Sequence, residues 1–80
     1  MKIVNYYGFS VVVPDWANYL AFERGVSGDY KLYCYETEPE WLKPVKRWTG
    51  GKFDRVEICE STLITIHENG IKPSKSLVKV

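Results

Sequence analysis

The stretch Lys2–Pro14 reads KIVNYYGFSVVVP, and the fold follows from it. A run of β-branched and aromatic residues, the composition of strands, stands on each side of Gly8. Glycine at the midpoint supplies the backbone freedom that a reversal needs. The segment therefore reads as a β-hairpin or tightly bent strand pair. Pro14 ends it, having no N–H to give to a ladder. Asp15 follows, placed to cap a single helical turn over Trp16, Ala17 and Asn18.

The same grammar recurs down the chain. Tyr19–Glu23 and Tyr30–Thr37 flank a connection marked by Gly25, Gly28 and Asp29, so they read as antiparallel strands. Alternation gives Leu20 and Phe22 one face of the first strand and Tyr19 and Ala21 the other; in its partner Leu32 and Cys34 share a face and Tyr33 and Tyr35 take the opposite one. Neither face is polar, which predicts cover on both sides. Pro39–Pro44 suggests one more helical turn. Gly50-Gly51, between Val45–Trp48 and Lys52–Cys59, reads as a tight hairpin turn. Leu63–His67 reads as a strand leading into an Asn69-Gly70 type I′ turn. Residues 72–80 read as an edge strand or tail, protected by Pro73 and by Lys72, Lys75 and Lys79.

No helical period holds for three turns and no repeat is present. The expectation is one mainly-β domain over residues 1–80: a small, twisted antiparallel sheet of hairpins, five or six strands, with one or two short helical turns. The alternative is a small α+β domain with a true helix over 14–20 or 39–48. Trp16, Leu20, Phe22, Leu32, Val56, Ile58 and Ile64 are the expected core.

Three Trp, six Tyr and three Phe in 80 residues make aromatic rings a large share of that core. The net charge of +1 argues against a dedicated non-specific DNA binder and against a mimic of DNA charge. Ile3–Pro14 is too short and polar to span a bilayer, and it lacks the apolar run of a signal peptide. No membrane association and a cytoplasmic location are expected. Cys34 and Cys59 are too few for a secreted disulfide scaffold and read as reduced, structural thiols.

His67 is the only histidine, so a nucleophilic site would need it beside Ser10, Ser61 or Cys59. No sequence motif joins them, and two cysteines with one histidine fall short of a four-ligand zinc site. The expectation is no enzyme, no cofactor and no metal. Glu36, Glu38 and Glu40 form an acidic edge, read as solvated. Lys43, Lys46, Arg47, Trp48, Lys52, Phe53 and Arg55 interleave cations with rings. That composition suits a protein-binding hot spot or a nucleic-acid surface, and equally a solvated hairpin with a basic turn whose Trp48 and Phe53 are core rings.

Residues 13–41 carry a resemblance. Val13–Ala21 (VPDWANYLA), then Gly28-Asp29-Tyr30, Tyr33–Glu36 and Glu38-Pro39 are similar to small uncharacterised accessory proteins of tailed bacteriophages. Those proteins share a Pro-acidic-Trp-x-x-Tyr segment, a Gly/Asp turn and an aromatic-Glu strand followed by Pro. The resemblance implies a short, early-expressed protein of the host cytoplasm that binds a bacterial host protein and inhibits or redirects it, as in host takeover or anti-defence. The runner-up is a small nucleic-acid-binding module using a 43–55 hairpin. The expected contact face is Trp41, Lys46, Arg47, Trp48, Lys52, Phe53 and Arg55, bordered by Glu36, Glu38 and Glu40. At least one of the three tryptophans is expected to be well exposed. A monomer or small homo-oligomer fits the composition.

Overall fold

The computed structural model describes residues 1–80. Strands β1 (Lys2–Tyr6) and β2 (Phe9–Val13) form the first hairpin, with Tyr6 opposite Phe9. Tyr7 and Gly8 make the two-residue turn, both at positive φ (49° and 90°), as a type I′ reversal requires. A β-turn follows, closed by the Ala17 N–H on the Pro14 carbonyl at 3.0 Å. The helical turn expected here is absent.

The central sheet is four-stranded, in the order β7-β4-β3-β8, where β3 is Tyr19–Arg24, β4 Tyr30–Tyr35, β7 Phe53–Val56 and β8 Val78–Lys79. Leu20, Phe22, Leu32, Cys34 and Val56 form its core face, joined by Tyr6, Val11 and Val13 of the first hairpin. Ala21, Glu23, Tyr33, Tyr35, Phe53 and Arg55 belong to the opposite face by alternation and register. A third ladder pairs β5 (Glu40–Leu42) with β6 (Arg47–Thr49), Trp41 facing Trp48. All pairings are antiparallel, so the mainly-β reading holds. The strands divide among three ladders, and Pro39–Pro44 contributes a strand where a helical turn was expected.

Leu63–His67 is not a strand. It lies in helix α1 (Glu60–Glu68), which buries Leu63 and Ile66 against β4 and leaves Ile64, an expected core residue, exposed. The i, i+3 spacing of Leu63 and Ile66 serves the core only as a helix. Two bonds hold the segment in that form. The Glu60 carboxylate accepts the Tyr30 N–H at 2.9 Å, and the Thr65 hydroxyl donates back to the Ser61 carbonyl at 2.9 Å. Asn69-Gly70 is the helix terminus rather than a hairpin turn. The Gly70 N–H meets the His67 carbonyl (2.9 Å), the Ile71 N–H meets the Ile66 carbonyl (3.3 Å), and Gly70 has φ 99°. This is a Schellman cap.

Gly50-Gly51 is not a hairpin turn either. β6 pairs back onto β5, while β7 pairs with β4 across the sheet. Residues 50–52 cross between them, anchored by the Glu36 N–H on the Lys52 carbonyl at 3.1 Å. Beyond α1, a short 3₁₀ turn (Pro73–Lys75) leads to β8, which pairs with β3 through two residues only.

Ser76 completes that edge. Its hydroxyl accepts the Phe22 N–H at 3.0 Å, standing in for a strand partner, and its carbonyl accepts the Tyr6 hydroxyl at 2.8 Å. Cys34 is buried, but Cys59 is exposed at the start of α1, outside the strand expected for it.

Candidate binding face: two cavities flanking one hairpin

The β5–β6 hairpin projects from the main sheet and is pinned at its base. Arg47 Nε donates to Glu23 Oε2 at 3.0 Å, and the Trp48 N–H donates to Glu23 Oε1 at 3.3 Å. Trp48 Nε1–H reaches the Pro73 carbonyl at 3.0 Å. Glu23 is 4% exposed, so its charge is held in the interior by the guanidinium and one backbone amide. The hydrogen bond to Glu23, then its charge, pushes the Arg47 guanidinium further above its already high value. Burial, reinforced by the Glu23 charge, pushes the neighbouring Tyr35 hydroxyl well above the usual phenol value.

A pocket of about 310 Å³ opens between the hairpin and the sheet face that carries Tyr33, Tyr35 and Phe53. Leu42, Val45, Arg47 and Trp48 supply the hairpin side, with Glu23 also in the lining. Phe53 meets Tyr33 edge-on at 6.0 Å between centroids (70°) and tilts against Tyr35 at the same distance (32°). Even so, Phe53 is 56% exposed, Val45 59% and Leu42 39%.

A second, larger cleft, about 640 Å³, lies toward the β3–β4 connection and the segment after α1. Arg24, Lys43, Lys46, Arg47 and Lys72 line it, with His67, Tyr30 and Trp41. Val45 and Arg47 belong to both linings, so the hairpin turn forms a shared wall.

The expected site residues are therefore redistributed. Trp41, Lys46 and Arg47 come together at the larger cleft, where the cations gather; Arg47, Trp48 and Phe53 do so at the smaller, ring-walled pocket. Lys52 lies elsewhere, its Nζ 4.6 Å from the centre of the Trp16 ring. Arg55 sits in β7 opposite Tyr33, outside both linings, as do Glu36, Glu38 and Glu40. No 43–55 hairpin exists, because Arg47–Thr49 pairs back onto Glu40–Leu42 while Phe53–Val56 pairs with β4. All three tryptophans are partly buried, so the well-exposed tryptophan expected from the sequence is not found. Trp41 and Trp48 half-bury each other edge-on at 5.3 Å (65°), and Trp16 packs against the core.

Arg24, Lys72, Tyr33 and Leu42 were not singled out as site residues. Only the exposed leucine between two prolines carried a local signal; the others arrive by long-range folding. His67 packs against Tyr30 (5.5 Å between centroids), and its Nδ1 lies 3.3 Å from the Ile71 carbonyl. No three His, Cys, Asp or Glu side chains group so as to hold a metal ion. Comparison with protein-family models, curated proteins and solved structures finds no match for this chain.

Proposed function

We propose that this chain is a binding protein without catalytic activity, of the tailed-phage accessory type, that engages a bacterial host protein in the host cytoplasm and inhibits or redirects it. One observation carries this reading. Leu42, Val45 and Phe53 leave large apolar surface open around a single concave site whose walls include Tyr33, Tyr35 and Trp48. Clustered apolar exposure on a small domain marks a contact surface, and a pocket walled by rings with an arginine beside it suits an aliphatic or aromatic anchor from a partner. The non-catalytic part of the reading is supported by His67, whose close neighbours are the Tyr30 ring and a backbone carbonyl.

The test compares three forms of the tagged protein on bacterial lysate: unmodified, Leu42→Asp with Phe53→Asp, and Ile3→Asp with Val12→Asp. The last pair is exposed on the first hairpin, away from the pocket. A host protein retained by the first and third forms and lost from the second supports the reading. Identical capture by all three, with folding intact, rejects the pocket as the contact.

A further inference from the structure

We infer that the basic cleft on the other side of the β5–β6 hairpin binds a segment of single-stranded nucleic acid. This goes beyond the protein contact proposed above and does not depend on it.

The charge distribution is the first support. Of the eleven Lys and Arg, five line this cleft, and no Asp or Glu does. The rest of the chain is left with six basic residues against all ten acids. A nearly neutral protein thus concentrates its positive charge in one concavity. Only Arg47 among the five is ion-paired, with Glu23. Arg24 spends its Nε on the Gly28 carbonyl (3.0 Å) and lies over the Tyr30 ring (5.7 Å), which fixes its position without neutralising it. Lys43, Lys46 and Lys72 are exposed and carry no ion pair.

The backbone is the second support. Lys46 has φ 54°, a conformation that favours glycine or asparagine. Its N–H closes the turn on the Leu42 carbonyl at 2.7 Å. A lysine at that position carries strain that a glycine would not, and it adds a charge to the cleft wall. The cations come from three separate places: the end of β3, the β5–β6 turn and the segment before the 3₁₀ turn.

Trp41 decides the ligand class. It lines the cleft, half-buried, and meets Trp48 edge-on rather than face-to-face. A ring among cations in a concave site is how sequence-tolerant single-strand binding is built: lysines follow phosphates while bases stack. A carboxylate-rich peptide would use the cations and leave the ring without a planar partner. A duplex calls for a broad basic surface or an element that enters a groove, whereas the five cations gathered here line one narrow concavity and the other six are spread among ten acids.

The experiment is fluorescence anisotropy with a labelled short oligothymidylate, the matching duplex, and a labelled oligoglutamate peptide, across a salt series. The oligothymidylate is expected to bind at low salt with a log–log salt slope of roughly −2 to −3, corresponding to three or four phosphate contacts on a single strand. Lys43→Ala and Lys72→Ala should each flatten that slope by about 0.7. Trp41→Phe, which keeps a ring against Trp48, should weaken binding several-fold at unchanged slope. The Ile3→Asp, Val12→Asp protein, altered on the first hairpin outside both linings, should bind the oligothymidylate with an unchanged slope, which ties the effect to this cleft. The inference is overturned by absence of oligothymidylate binding at about 100 μM protein in low salt, or by binding that survives Lys43→Ala, Lys46→Ala and Lys72→Ala combined. It is equally overturned if the duplex or the oligoglutamate binds as tightly as the single strand.

Discussion

Arg47 Nε donates to Glu23 Oε2 at 3.0 Å, tying the β5–β6 hairpin to the central strand of the molecule. The two ends of this pair differ: the Glu23 side chain is 5% exposed and that of Arg47 57%. Removing the arginine leaves a carboxylate in the interior with one amide for company, whereas removing the carboxylate leaves a guanidinium that water can solvate. The damage therefore comes chiefly from the orphaned acid. Arg47→Ala is expected to lower the urea midpoint, and adding Glu23→Gln to it should recover part of the loss. Equilibrium unfolding of the two variants checks this, and strictly additive losses would contradict it.

The edge of β3 depends on one hydroxyl. Ser76 Oγ accepts the Phe22 N–H at 3.0 Å in a buried setting, because β8 is too short to reach that residue. Ser76→Ala leaves the amide without a partner and should cost about 1–3 kcal/mol. Tyr6→Phe, which removes only the donor to the Ser76 carbonyl (2.8 Å), should cost about 1 kcal/mol. Thermal or denaturant unfolding measures both, and a neutral Ser76→Ala would show that water or a shifted strand supplies the bond.

Stability should fall on the alkaline side. Burial raises the Tyr6 hydroxyl above its ordinary value of 10.0, and burial with the Glu23 charge does the same for Tyr35. Both tyrosines stay protonated in the folded chain at pH values where the unfolded chain has lost those protons. Their contribution is complete below pH 10 and is lost progressively as pH rises from there toward the folded-state values. Urea midpoints measured from pH 8 to 11 should decline above about pH 10. Tyr6→Phe should make the decline shallower despite its lower starting stability.

The parts of the fold legible in the sequence are those with local causes. The Tyr7-Gly8 reversal and the Gly25–Asp29 connection each lie between alternating runs, and both hairpins formed as read. The misread parts share a different origin. Leu63–His67 is β-branched enough to pass for a strand, yet the core needed Leu63 and Ile66 on one side, a demand set by β4 and not by neighbours in sequence. The site divided in the same way. Lys43, Lys46 and Arg47 were visible as a cluster, but Arg24 and Lys72 reach the cleft from distant segments. Lys52 and Arg55, a few positions further along the sequence, go instead to Trp16 and to the open sheet face.

Gly50 and Gly51 distinguish the observed fold from the hairpin that their dipeptide suggests. A type I′ turn would place both at positive φ and penalise alanine at either. Here neither is at positive φ, and what constrains Gly50 is space. A Cβ there would lie 2.8 Å from Cδ1 of Tyr35, a buried ring, and 3.5 Å from Cβ of Pro39; one on Gly51 would meet nothing within 4 Å. Gly50→Ala is accordingly expected to cost about 1–3 kcal/mol as Tyr35 is displaced, whereas Gly51→Ala should stay within about 0.5 kcal/mol of the parent. Because Gly50 and Tyr35 both line the pocket beside Phe53, Gly50→Ala should also weaken capture of the partner proposed for it, and Gly51→Ala should not. Equal destabilisation by the two substitutions would return the segment to a hairpin turn and remove the crossover on which the pocket depends.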